Sequence, residues 1–132
     1  MSEGDGRGRT RFIEHEGLRI LLLDFSDIRD PAVALVAIAE AKAFVATQPL
    51  GSLLTITYIK GSTFMPSVVG ALGELARHDA PYVKAAVVAG MSGLQRVAFT
   101  AIKLVSGRSF EVCRDIEEAK RWLAAQGGTA LR

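Results

Sequence analysis

A chain of 132 residues has room for one domain with a single core that buries roughly two-thirds of its unfolded surface, so one domain and no second is expected. Its apolar fraction of 49% and charged fraction of 23% are ordinary globular values, which argues against wholesale disorder. Sixteen basic against fourteen acidic residues leave a net charge of +2, too little to point to nucleic acid in a chain with few aromatics among its Arg and Lys.

The single cysteine, Cys113, has no internal disulfide partner, and the opening "MSEGDGRGRTR" lacks the apolar run of a secretory signal. A reducing cytoplasm is the expected compartment. Residues 1–9 alternate glycine with charge and are expected to form a disordered tail. "RFIEHEGLRILLLDFS" then reads as a short strand, a turn at Gly17 and a longer strand whose run Ile20 to Leu23 suggests burial on both faces. The stretch that follows predicts a helix with Asp30 as N-cap, Pro31 at its first position and Pro49 beyond its end.

That helix contains "AVALVAIAEAKAFVA", residues 32–46, the most apolar helical stretch of the chain. It is shorter than the ~20 residues a bilayer span needs and carries Glu40 and Lys42, so no transmembrane segment is expected. Its apolar residues spread almost all round, with Val33, Val36 and Phe44 opposite Leu35 and Ile38. A helix covered on one side should not look like this, although much of the spread is alanine, a good helix former.

Next come a strand "SLLTITYI", a helix from Phe64 or Pro66 to His78, a strand "VKAAVVAG", a helix from Gly93 to Val105, a short strand "FEVC" and a last helix "DIEEAKRWLAAQ". In the Gly93–Val105 helix, Leu94, Ala98, Ala101 and Val105 form the expected buried stripe, Arg96, Thr100 and Lys103 point away, and Phe99 falls on the border. Gly70 and Gly73 in the preceding helix suggest close approach of the sheet, a ligand or a partner. Trp122 and Leu123 are expected to close the core.

Strands alternating with helices after a hairpin predict a single α/β domain over residues 10–126, with a mixed, mostly parallel sheet of four to five strands and about four helices. Residues 127–132 are expected to be a flexible end.

The segment "PYVKAAVVAGMSGLQRVAFTAIKLVSGRSFEVCRDIEEAKRWL", residues 81–123, resembles the SpoIIAA-like branch of the STAS superfamily, which carries a strand, a "G-x-S-G-L-Q" turn, a helix, a "G-R" turn, a short strand and a closing "E-A-K-x-W-L" helix. With "LLLDFSD" and "PLGSLLTITYIKGSTF", the likeness covers most of residues 11–125. It implies a small α/β domain without an assigned reaction in most members. It also implies one of two roles: an anti-sigma-factor antagonist switched by phosphorylation of a serine at a helix start, or, by likeness to CRAL-TRIO domains, a carrier of apolar ligands. The antagonists' Asp-Ser-x-Gly pattern falls here on Met65, Pro66, Ser67 and Val68, which sets Pro66 in the serine's place. Ser62, Thr63 and Ser67 are then the candidate phosphorylation sites.

In a parallel sheet the loops after the strands gather at one edge, the usual ligand crevice. "DFSDIRD", "KGSTFMP" and "GMSG" place Asp24, Ser26, Ser62, Thr63, Ser92 and Gly93 there, where two helix N-termini favour an anion. The competing reading has Thr63 and Ser92 as simple helix caps. Phe64, Met65, Met91 and Phe99 would add an apolar patch to this edge, with Lys60 and Arg96 at its rim. Alternatively, Phe64 and Met65 fold inward and staple the helix start.

The serines have no G-x-S-x-G elbow, "GMSG" lacks dinucleotide spacing, and no His or Cys pair has metal spacing. His15 sits in the hairpin turn, and His78 at a helix end suits the local dipole. The expectation is a non-enzymatic binding module without cofactor or metal. A hydrolase using the serine edge is the competing class. The candidate partners are a small apolar ligand, a regulatory protein and a second copy of the chain.

Overall fold

The structure, a computed structural model, describes residues 6–107 and 110–130. A strand β2 (Thr10–His15) turns into β3 (Leu18–Asp24) through Glu16 and Gly17, whose φ angles of 52° and 80° give the two left-handed positions of a tight hairpin. Gly6 and Arg7, in the stretch expected to be a tail, form a two-residue strand β1 on the outer edge of β2.

Three helices then alternate with three strands: α1 (Pro31–Val45), β4 (Leu53–Tyr58), α2 (Pro66–Asp79), β5 (Val83–Ala89), α3 (Gly93–Ser106) and β6 (Glu111–Cys113). The chain closes with α4 (Ile116–Ala130), which runs past Gln126, where the sequence reading ends it. The sheet is therefore α/β and mixed, with five strands of three or more residues beside the short β1.

Local chemistry accounts for the helix ends. Asp30 accepts a hydrogen bond from Ala32 N at 2.9 Å with Pro31 at the first position of α1, and Gly107 ends α3 in the left-handed conformation at φ 69°. Asp115 accepts from Glu118 N, while the Glu118 carboxylate accepts from Arg114 N, which starts α4.

Strands β3 to β6 run parallel and lie side by side in sequence order. Successive right-handed crossovers stepping in one direction place every crossover helix on the same face. The packing agrees: one core cluster joins Leu21, Leu23, Val88, Ala41, Leu72 and Ile102, from the sheet and α1–α3. The other joins Ile20, Leu22, Ile56 and Val87 to Ala119 and Leu123 of α4, with Trp122 packed against it as expected. Two covered faces explain the unbroken apolar run Ile20–Leu23.

Thr10 sits on β2 with its hydroxyl buried and without a hydrogen-bond partner among the described residues. A buried hydroxyl without a partner costs about 1–3 kcal/mol, so Thr10→Val, which keeps the β-branched shape, should raise Tm by roughly 3–5 °C. A fall in Tm on thermal denaturation would mean that the hydroxyl is satisfied.

Cys113 lies on the edge strand β6 but faces α4 and is buried. Burial pushes its thiol up, and the carboxylates of Glu118, Glu111 and Asp115 push in the same direction. Little thiolate then forms near neutral pH, so the native chain at pH 8 should react with a thiol reagent at least about tenfold more slowly than the unfolded chain. Equal rates would place the thiol in solvent.

Candidate functional site

Three loops follow the parallel strands and meet at one edge of the sheet: residues 25–30, 59–65 and 90–92. Backbone bonds continue the ladder into them, from Phe25 N to Tyr58 O at 2.8 Å, Ile59 N to Ala89 O at 3.0 Å and Gly90 N to Cys113 O at 3.2 Å. Close approach then requires glycine at two places. A Cβ on Gly61 (φ 79°) would run into the Asp27 carboxylate, and one on Gly90 (φ 84°) would sit 3.0–3.2 Å from Lys60 atoms, its backbone N and Cα among them.

Two side chains lace the loops together. The Ser62 hydroxyl donates to Phe25 O and accepts from Ile28 N at 2.9 Å, which joins the second loop to the first. Gln95, on the first turn of α3, donates through Nε2 to Ile59 O at 2.8 Å and Ser62 O at 2.7 Å. Its Oε1 accepts from Ser92 N at 2.7 Å, and Ser92 Oγ accepts from Gln95 N at 3.4 Å, a reciprocal cap. The edge is therefore a braced platform.

The structure distributes the expected site residues over this platform unevenly. Ser62 is buried, with its hydroxyl engaged in both directions, so it offers a ligand or a kinase no free group. Thr63 is exposed, and its amide donates to Ile28 O. Its side chain does not cap α2, whose N-cap position is Met65, without a side-chain bond. Ser67 is exposed at the second position of α2. Asp24 and Ser26 share a hydrogen bond of 2.5 Å, while Arg9 donates to both of their carbonyls.

Phe64 and Met65 part company. Phe64 turns inward and meets Phe99 edge-on at 5.9 Å, while Met65 stays 49% exposed. Phe64→Ser should therefore lower stability by about 2 kcal/mol through lost apolar burial, and Met65→Ser should leave Tm within a degree or so, as surface changes do. Equal effects in separate thermal melts would contradict this division.

Phe99 belongs to the core rather than the border, at 5% exposure. The stripe of α3 is Gln95, Phe99 and Ile102, with Ala98 and Ala101 half-buried on its flank; the side chains of Leu94 and Val105 lie outside those described. The helix is turned by about one residue from the expected face because carbonyl partners draw a polar side chain inward. The S-x-x-Q spacing of Ser92 and Gln95 carries the capping half of this arrangement, and nothing local carries the other half. Arg96, Thr100 and Lys103 do face outward. A Cβ on Gly70 would meet nothing within 4 Å among the described residues, while Gly73 is buried.

Two surface depressions flank α3. The first, of about 170 Å³, lies between the second loop and α3 and brings together Ser62, Thr63, Phe64, Ser92, Gln95 and Ala98. The second, of about 260 Å³, lies between α3 and β6 and holds Met91 and Phe99 with Phe110, Val112, Arg96 and Lys103. Lys60 lines neither.

Beneath α2 and α3 a partly open pocket of about 50 Å³ faces the sheet, with Thr55 and Thr57 of the central strand in its otherwise mostly apolar lining. Asp79 reaches the same pocket, buried and 2.8 Å from His78 Nδ1, and the His78 ring stacks on Tyr82. His15 lies at the far end of β2, 3.6 Å from Glu16. No group of three or more His, Cys, Asp or Glu side chains placed to hold a metal occurs among the described residues, and none of their helices is long and apolar enough to cross a membrane.

No protein-family model, curated protein or solved structure matches the chain.

Proposed function

We propose that the chain is a non-enzymatic interaction module of the SpoIIAA-like STAS type, which docks a regulatory protein on the α1–α3 layer and the adjoining loop edge. The observation that supports this reading is the uneven placement of exposed apolar side chains. Val33, Leu35 and Val36 on α1, Met65 at the start of α2, and Val97 and Leu104 on α3 all stand in solvent, Leu50 in the loop before β4 and Val112 on β6 lie outside these helices, and α4 exposes no large apolar residue among those described. Large apolar groups gathered on one face of a monomer mark an interaction surface. On the opposite layer α4 presents Glu117 and Arg121 to water instead.

The carrier reading is less well supported by the interior. A cavity of about 50 Å³ suits a few waters, whereas pockets for sizeable ligands run to roughly 300–1,000 Å³. An apolar tail would enter only if α2 and α3 parted from the sheet. The phosphorylation switch narrows to Thr63 and Ser67, since both are exposed beside the first turn of α2, where added negative charge is tolerated.

A photo-crosslinking residue placed at Val36, Leu104 or Arg121 of the full chain in its own cells tests the proposal. A discrete protein adduct from Val36 or Leu104, with none from Arg121, is the expected result. Adducts from Arg121 alone, or none from any position together with a small molecule that raises the native mass above the denatured mass, would overturn it in favour of a different surface or a carrier.

A further inference from the structure

We infer that the trough between α3 and β6 seats an acidic amphipathic helix of the partner, which inserts one apolar side chain between two carboxylates. The inference rests on the interaction reading above and names the chemistry that the partner must carry.

The trough has an apolar floor and a rim of one charge. Met91, Phe99, Phe110 and Val112 line it, and Arg96 and Lys103 stand along its α3 side. Its volume of about 260 Å³ accommodates a leucine or phenylalanine side chain. Val112 faces it because β6 alternates, sending Cys113 to the α4 side. By the same alternation the Glu111 carboxylate belongs to the other face, and α3 contains no acidic residue between Gly93 and Ser106. Neither Arg96 nor Lys103 has an ion-pair partner among the described residues. Two uncompensated cations over an apolar floor complement an occupant that is apolar at its centre and negative on both sides.

The spacing selects a helix over a single anionic amphiphile. Arg96 and Lys103 are two turns apart on α3, roughly 10 Å along its axis at 1.5 Å per residue. One carboxylate head group can satisfy one of them. A partner helix lying alongside α3 satisfies both with acidic residues at i and i+7, and its residue i+3 or i+4 then points at the floor. The same partner would cover the ridge of Val97 and Leu104, which are 74% and 82% exposed on the outer side of α3.

The test uses the full chain, labelled with nitrogen-15, and two synthetic alanine-rich helices of about 16 residues. One carries Glu at i and i+7 with Leu between them, and its twin has Lys for Glu. The Glu helix should shift the amide signals of Met91, Phe110 and Val112, bind at least about tenfold more tightly than its twin and weaken as salt is raised to about 0.5 M. R96E/K103E, which alters two exposed side chains, should reverse the preference while leaving the far-ultraviolet circular dichroism unchanged. Equal binding of the two helices, or no binding by either, would overturn the inference. Shifts confined to α1 or the loop edge would overturn this seat while the interaction reading stands, and dodecanoate shifting the trough signals when the Glu helix does not would assign it to a small amphiphile. Failure of crosslinking at Leu104 and Val36 alike would instead remove the reading on which the inference rests.

Discussion

Gln95→Leu should destabilise the chain by about 3 kcal/mol, lowering Tm by roughly 10 °C, although the substitution replaces a polar side chain with an apolar one of similar volume at a position only 6% exposed. By burial alone the change should help. Yet Gln95 is the partner of three backbone groups: it donates to Ile59 O and Ser62 O and accepts from Ser92 N. Leucine leaves Ser62 O and Ser92 N without that partner and Ile59 O with only its bond from Ser62 N at 3.2 Å, and each buried unpaired group costs about 1–3 kcal/mol. Water reaching the exposed Ser92 turn recovers part of that loss, which is why the total stays well below the simple sum.

Ser92→Ala is the control, because it removes only a part-buried cap bond of 3.4 Å and should cost about 1 kcal/mol or less. Denaturant melts that show equal losses for the two variants would mean that Gln95 acts through the cap alone. Gln95→Glu separates the roles further, since a carboxylate can still accept from Ser92 N but cannot donate to either carbonyl. It should resemble leucine rather than the wild type.

What could be read from the chain and what could not divides along the distance between interacting partners. Asp30 and Pro31 announce α1 and Gly17 the hairpin, because each acts on backbone within a few residues of itself. The mixed, mostly parallel sheet follows from a hairpin succeeded by alternating helices and strands, which are also properties of successive elements. The all-round apolarity of α1 is legible too, and it survives as Val33, Leu35 and Val36 in solvent.

The reading fails where a side chain answers to a distant carbonyl. Gln95 is 36 and 33 positions from its two acceptors, and the Ser62 hydroxyl is 37 from Phe25 O. Periodicity assigns a glutamine and a loop serine to the surface, so it turns α3 by one residue and leaves Ser62 exposed at the edge. Phe64 and Met65, adjacent and both apolar, share every local signal. Only the proximity of Phe99 decides that one goes in and the other stays out.

Phe99→Ala should be the most damaging substitution at the site, costing about 3–5 kcal/mol. The ring stands between Phe64 and Phe110, meeting them edge-on at 5.9 Å and 5.8 Å with interplanar angles of 65° and 87°. Each such pair adds about 0.5–1.5 kcal/mol to the burial of the ring itself. The same ring is also a partition, because it lines both the pocket under α2 and α3 and the outer trough toward β6. Its removal should join the two spaces and let water reach Thr55 and Thr57, so that the lost contacts are not recovered by collapse.

Phe99→Leu keeps part of the wall and should cost about half as much. Native-state hydrogen exchange tells the two consequences apart. In the alanine variant the amides of Thr55 and Val88, on the central strands beneath the ring, should exchange faster by more than the global loss of stability explains, and in the leucine variant they should not. If Tm falls by only a few degrees and those amides keep their protection, Phe99 is a surface residue of the trough and not the wall between it and the core.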